Sequence, residues 1–311
     1  MARIYDLIMT HQLDADGFFI HCVQRRCAEK RMDFFLVEPL WVRNFLEAFE
    51  REEVWARALL NMHSEHHLPE DPFHKLVDLA ERRKTAVIDP PSVARGAFDK
   101  SSIHGRIESA SLNVPPTLIV KAAEAPFLAL TPEQKEILGS PFVIKPARGY
   151  GRRGVILDAR DEKDLLRSMT AWPDEKYLLQ RKIIPRELEG RPAYWRLFHV
   201  FGSLWWCWWD CFTDRYTEVT PEEIERIHLA PLGEGMRKLA ALTGMNFFSS
   251  EIAQTASGDF VWIDYINDQC HMLTQSANPK MGVPDRVVEA IALRLVDSAC
   301  DLLRRPNAIA A

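Results

Sequence analysis

The 311 residues include only 14 glycines and six cysteines, carry a formal charge of just -5, and contain no apolar run long enough to cross a bilayer. Each shortage excludes something. Cys22, Cys27, Cys207, Cys211, Cys270 and Cys300 form no CxxC pair and no zinc-type spacing. This argues against a disulfide scaffold and points to a reduced, cytoplasmic protein. So small a charge gives no global basic field, so nucleic acid is not an expected partner and any anion site must be a local cluster of Lys and Arg. The most apolar stretch, "LFHVFGSLWWCWWDCF" (197–212), is short for a membrane span and carries His199, Gly202 and Asp210. It reads as a buried strand pair, with no membrane partner implied. The opening "MARIYDLIMTHQLDADG" lacks the basic and long apolar regions of a secretory signal.

What is present, 47% hydrophobic and 27% charged residues, suits a globular protein with a large core in two or three domains, and permits a homodimer. The first ninety residues alternate strand-like runs (3–10, 33–39, 57–62, 84–89) with helical ones (15–30, 42–52, 72–83). That rhythm predicts an α/β domain with a parallel sheet over 1–95. "PPSVARG" (90–96) breaks the pattern. A helix follows near 99–112, then longer β-rich runs at 141–146, 154–158, 176–182, 194–211 and 259–267, with helices at 162–170, 222–243 and 285–304. This part reads as α+β, divided into 96–185 and 186–311.

"PFVIKPARGYGRRGVILD" (141–158) contains Gly149-x-Gly151-x-x-Gly154. A dinucleotide-binding fingerprint needs a helix after the glycines, whereas "VILDA" is strand-like. A protein-kinase loop is excluded because the chain has no HRD and no DFG, and Lys145 precedes the glycines. What survives is a hairpin whose backbone N–H groups fold over a triphosphate while Lys145 reaches a phosphate oxygen. Arg148, Arg152 and Arg153 on the loop, with Arg215 and Lys280, are candidates for the same anionic cleft, or are simply solvated. Near the C-terminus, "SSEIAQTASGDFVWIDYINDQC" (249–270) pairs a strand bearing Glu251 with a returning strand bearing Asp264 and Asn267. Facing carboxylates with a nearby amide are what an Mg-nucleotide requires.

In this order the pieces resemble the ATP-grasp superfamily over roughly residues 88–295, with the leading α/β layer similar to a pre-ATP-grasp domain. The resemblance implies an α/β N-terminal domain followed by two α+β subdomains clasping ATP. "FDKSSIHG" then supplies a first phosphate lysine, Lys100, and "FVIKPARGYGRRGV" the second, Lys145, with Gly149, Gly151 and Gly154 as the lid. Gln180 in "KYLLQRKI" would receive the adenine amino group, the backbone of Arg181 to Ile183 the ring edge, and Glu187 the ribose. Arg196 would face the phosphates or the bound acid, acting catalytically with Lys145. Glu251, Asp264 and Asn267 would hold one or two Mg²⁺ ions, with Mn²⁺ as an alternative. One departure stands out: the family's second metal strand ends acidic-x-Asn, while this sequence reads Asp264-Tyr265-Ile266-Asn267. A regular strand would turn Asp264 and Asn267 to opposite faces, so either a bulge restores the pair or Tyr265 or Asp268 shares the site.

The chemistry implied is ATP-dependent ligation of a small carboxylate to an amine through an acyl phosphate. A small-molecule phosphotransferase, or a non-catalytic nucleotide-binding protein, are the alternatives. The Trp205–Trp209 block reads as a strand buried on both faces rather than as an aromatic platform. "HSEHH" (63–67) reads as a loop of the first domain rather than a zinc site, and His104 and His271 as ordinary histidines.

Overall fold

Strand and helix alternate from the first residues onward. The computed structural model describes residues 2–11, 16–63, 69–173, 175–268 and 270–304. The chain begins with β1 (Arg3–Thr10), α1 (Gly17–Glu29), β2 (Phe34–Val37), α2 (Val42–Glu50), β3 (Val54–Asn61), α3 (Pro72–Arg82) and β4 (Ala86–Ile88). Two helices follow, α4 (Pro91–Phe98) and α5 (Lys100–Ser109), then β5 (Thr117–Lys121) and α6 (Pro132–Leu138). Next come β6 (Phe142–Pro146), β7 (Ile156–Ala159), α7 (Lys163–Met169), β8 (Lys176–Arg181), and a short ribbon of β9 (Glu187–Leu188) and β10 (Arg191–Pro192). The last part holds β11 (Tyr194–Val200), β12 (Ser203–Asp210), β13 (Arg215–Glu218), α8 (Pro221–Arg226), α9 (Ala230–Thr243), β14 (Phe247–Gln254), β15 (Phe260–Asn267) and α10 (Asp285–Arg304).

These elements form two compact units: Met1–Arg95 with Trp195–Ser249 and Ile266–Ala311, and Gly96–Tyr194 with Ser250–Tyr265. The first unit is built on a parallel sheet in the order β2-β1-β3-β4. Its helix α2 buries Val42, Phe45, Leu46 and Phe49, the i, i+3, i+4, i+7 stripe of a helix lying on a sheet. Stacked rings continue that stripe, with Phe45 on Phe35 at 5.1 Å and Phe49 on Trp55 at 5.5 Å between centroids. Helix α3 starts on an Asp71 cap that accepts from Phe73 N, with Pro72 placed where its missing N–H costs nothing. Helix α10 packs against α1, and Asp297 takes both Arg26 (3.0 and 2.8 Å) and Lys30 (2.9 Å) at that seam.

The second unit carries an antiparallel sheet in the order β5-β8-β6-β7. Phe142, Ile144, Tyr177 and Leu179 fill its core together with Leu138 from α6 and Leu165 from α7. A further sheet runs β13-β12-β11-β14-β15, and the division between the units falls within β14 and β15.

At the break in pattern over 90–96, Pro91 begins α4, because a proline at the first helical turn sacrifices no hydrogen bond. Two local expectations differ from what forms. The stretch 222–243 is two helices, since Pro231 cannot continue α8 and His228 turns left-handed between them. In the tryptophan strand, Cys207, Trp208 and Trp209 are buried with β11 and β13 on either side, while Leu204, Trp205 and Trp206 are only half-buried.

The β11–β12 hairpin turns at Phe201 and Gly202, both with positive φ (46° and 83°), the backbone that matches strand twist in a two-residue loop. His199 locks it: its Nε2 accepts from Gly202 N at 3.1 Å, which requires that nitrogen to be unprotonated. Burial pushes the His199 pKa down to about 4. Between about pH 4 and the ordinary histidine value the unfolded chain therefore binds more protons than the folded one, and stability rises with pH. On acidification through that window, wild type should lose up to about 1.4 kcal/mol per pH unit from this group. A His199→Gln variant should lack that contribution when urea unfolding is compared across pH.

Candidate functional site

In the second unit the site begins at a helix cap. Asp99 precedes α5 and accepts from Ser101 N (3.0 Å), Ser101 Oγ (2.6 Å), Ser102 N (3.2 Å) and Ser102 Oγ (2.9 Å). Lys100 is thereby fixed as the first helical residue, and its own N–H donates to Ala147 O at 3.1 Å, tying the helix to the end of β6. The Lys100 side chain is buried, its Nζ 3.6 Å from Asp264 Oδ1 and 5.1 Å from the Phe98 ring centroid. Alternation along β6 sends Phe142 and Ile144 into the core and Lys145 the other way. There Lys145 Nζ donates to Ile263 O at 2.7 Å. The two lysines thus end at consecutive residues of β15.

Burial lowers the Lys145 pKa; the Asp264 charge opposes this, Lys100 adds to it, and Glu251 opposes it again. Both expected metal carboxylates therefore act on one ammonium. Asp264 Oδ1 is buried and has no hydrogen-bond partner, since Lys100 stands beyond hydrogen-bond reach. An orphaned carboxylate oxygen among cations is a fitting donor for a hard divalent ion. No group of three or more His, Cys, Asp or Glu able to hold a metal exists among the described residues. The unpartnered Asp264 oxygen is of the kind Mg²⁺ takes, since that ion binds through one or two carboxylates and completes its shell with phosphate oxygens and water.

Asn267 and Arg196 belong to the first unit. Asn267 Nδ2 donates to Ser249 O at 3.4 Å, and β15 runs through to Asn267. Burial along β15 does not follow a period of two: Tyr265 and Ile266 are both buried between half-exposed Asp264 and Asn267. Arg196 donates through Nε to Ser249 Oγ (2.9 Å) and through Nη1 to Tyr216 Oη (3.0 Å), and lies 5.9 Å from the Trp209 ring centroid.

The glycine loop is anchored at one end. The Arg153 guanidinium packs on the rings of Tyr150 and Trp172, at 5.5 and 5.1 Å from their centroids, and donates to Tyr150 Oη. Trp172 Nε1 donates to Arg153 O at 3.0 Å, and Ser168 Oγ to Gly154 O. Arg153 is therefore a structural clamp, while Arg148 pairs with Asp99 at 3.4 Å. Gly149 presses on the Pro146 ring, where a Cβ would collide.

Gln180 is buried in β8, and its Nε2 donates to Thr117 Oγ1 (2.9 Å) and Tyr265 Oη (3.0 Å). Tyr265 Oη also lies 2.6 Å from His104 Nδ1. The Arg181 N–H is committed to Pro116 O at 2.9 Å and its guanidinium to Glu136 O and Ile137 O. Ile183 is half-buried and Glu187 exposed on β9. Sequence reasoning read His104 as an ordinary histidine and passed over Asp99 and Trp172. For Asp99 the signal was present, an aspartate directly before a helical run. In the first unit, buried His63 stacks on Phe73 at 3.9 Å; the rest of "HSEHH", Ser64 to His67, lies outside the described residues.

No family model and no curated protein matches the sequence. Solved structures do. A RimK domain ATP-grasp protein from Sphaerobacter thermophilus superposes over 94% of this chain and 99% of its own, with TM-score 0.64 and 17% identity. The D-alanine–D-alanine ligase of Bacillus anthracis, complexed with ATP, covers 98% and 99% at TM-score 0.63 and 12% identity. The chain has the ATP-grasp fold. A RiPP-associated ATP-grasp ligase of Chryseobacterium gregarium, bound to ADP and a leader and core peptide, extends the likeness to 99% of both chains at TM-score 0.61 and 13% identity.

Within this ATP-grasp fold, the loop anchor predicts unequal tolerance of its glycines. Gly154 has φ +76°, and an added Cβ would sit 3.1 Å from both Ser168 O and Trp172 Cδ1, whereas Gly151 (φ +58°) faces open space. Gly151→Ala should cost only the left-handed backbone penalty, about 1–2 kcal/mol. Gly154→Ala should cost more, about 2–4 kcal/mol with the steric conflict added, as read by urea unfolding.

Proposed function

We propose that the protein is an ATP-dependent carboxylate ligase that joins a small carboxylic acid to an amine through an acyl phosphate. The observation that carries this reading is the meeting of Lys100 and Lys145 at β15, beside a buried Asp264 oxygen that no hydrogen bond satisfies. Two cations, an unsatisfied carboxylate and a glycine loop rising from the same strand as Lys145 suit a bound triphosphate better than any other ligand. The ATP-grasp fold supports the reading, since proteins named as ligases share it. Fold alone does not fix chemistry.

In the proposed reaction an oxygen of the acid attacks the γ-phosphorus of ATP, the bond to the bridging oxygen breaks, and ADP leaves with the electron pair. The amine nitrogen then attacks the acyl carbon, inorganic phosphate departs, and the nitrogen loses a proton to give the amide. Mg²⁺, when bound, would offset phosphate charge and connect it to the carboxylates of Glu251 and Asp264. Lys145 and Lys100 would neutralise the oxygens on which charge builds during transfer. To do so Lys145 must exchange the Ile263 carbonyl for a phosphate oxygen. The loop between Gly149 and Arg152, hinged on the Arg153 clamp, would exclude water that otherwise hydrolyses the acyl phosphate.

The experiment is a screen of acids and amines read as ADP formation. ADP and free phosphate that appear only with both an acid and an amine support the ligase; phosphate retained on an organic product would replace it with a phosphotransferase. Lys145→Ala should abolish turnover and leave the unfolding midpoint near that of wild type, because its ammonium bonds a single carbonyl. Glu251→Ala should weaken Mg-ATP binding by about tenfold or more in direct titration.

A further inference from the structure

Gln180 is 1% exposed, and its amide is the centre of a hydrogen-bond chain whose direction follows atom by atom. At one end the Thr117 hydroxyl donates to Pro115 O at 2.6 Å. That spends its only proton, so toward Gln180 the Thr117 oxygen can only accept, and the atom 2.9 Å away must be the amide nitrogen. At the other end Tyr265 Oη lies between the same nitrogen (3.0 Å) and His104 Nδ1 (2.6 Å). His104 is enclosed: burial lowers its pKa, the Glu108 carboxylate 3.8 Å from Nε2 raises it, and Lys145 lowers it. A neutral ring with its proton on Nε2, toward Glu108, leaves Nδ1 to accept from Tyr265. Tyr265 then accepts the second amide proton of Gln180. Both protons are committed to protein, and no donor among the described residues reaches Gln180 Oε1.

We infer that Thr117 and Tyr265, the latter backed by His104, are positioning residues that set the choice of nucleobase by holding the Gln180 amide with its oxygen as the one open group. The inference rests on the reading of the site as an ATP site. An open carbonyl accepts from the 6-amino group of adenine. Against the 6-oxo group of hypoxanthine or guanine it sets two acceptors face to face, and a buried pair of that kind rejects the wrong base more strongly than the right one is attracted. An amide left free to turn would present NH₂ to an oxo base and lose the discrimination. Selectivity thus comes from the three residues behind Gln180, none of which is required to touch the base.

The test compares dissociation constants of Mg-ATP and Mg-ITP, measured by calorimetric titration, for wild type, Tyr265→Phe, Thr117→Val and the double variant. Wild type should prefer ATP, and the double variant should lose about tenfold of that preference, chiefly through tighter ITP binding. In a Gln180→Glu background, where both head-group atoms accept, the same substitutions should leave the preference unchanged. A pocket that merely loosens would instead lose selectivity equally in both backgrounds, which overturns the inference. If the double variant does not fold, Tyr265→Phe alone carries the test with a smaller shift of the same sign. An unchanged ATP-to-ITP ratio with ATP still bound overturns the positioning role and leaves the ATP reading intact. Failure of wild type to bind either nucleotide overturns both.

Discussion

The Lys100 and Lys145 ammoniums end at neighbouring residues of β15, one beside the Asp264 carboxylate and the other on the Ile263 carbonyl. Burial and the Lys100 charge lower the affinity of Lys145 for its proton, with Asp264 and Glu251 opposing them, and the backbone holds the group there. The enforcement is visible in four places. Asp99 fixes the start of α5, Ala147 O receives the Lys100 N–H, β6 is paired on both sides by β8 and β7, and Trp262 N reaches Asn113 O from β15. The second unit is the frame that holds both ammoniums against one stretch of β15.

The same frame separates rigid from adjustable parts. Gln180 sits on the central strand β8 with every amide proton engaged, while the glycine loop leaves β6 and is restrained where Arg153, Trp172 and Ser168 meet and through the Arg148–Asp99 pair. A group fixed in advance lowers the ordering cost of binding, and a restrained loop has fewer ways to close than a free one. Both elements arise from adjacent strands of one sheet.

Much of this was legible in the sequence because the decisive residues carry local signatures. Lys145 before Gly149-x-Gly151-x-x-Gly154, and a strand rather than a helix after it, were enough to exclude a dinucleotide fold and to pair the loop with Glu251 and Asp264. The parallel sheet of the first unit followed from the alternation of periods, and α10 from its apolar stripe. Helix α6 was not read, although Thr131-x-x-Gln134 is a capping box, because its seven residues are too short for a periodic pattern to show. The break between α8 and α9 was missed because hydrophobic spacing runs on across it, and only Pro231 marks it. Tyr265 and His104 lay beyond reach for a different reason. Their roles come from a contact between residues 161 positions apart, and no spacing along a chain encodes that. Asn267 is an intermediate case. Its distance from Asp264 signals an irregularity, whereas β15 runs as one strand through to Asn267, and its own amide bonds Ser249 O in the other unit from Glu251.

The partner of Lys145 is a main-chain carbonyl rather than a side chain, and this gives the site a property that substitution cannot remove. Every variant retains Ile263 O, so the ammonium always has an internal alternative to any ligand. Any anion that engages Lys145 therefore has to draw the ammonium away from Ile263 O or share it.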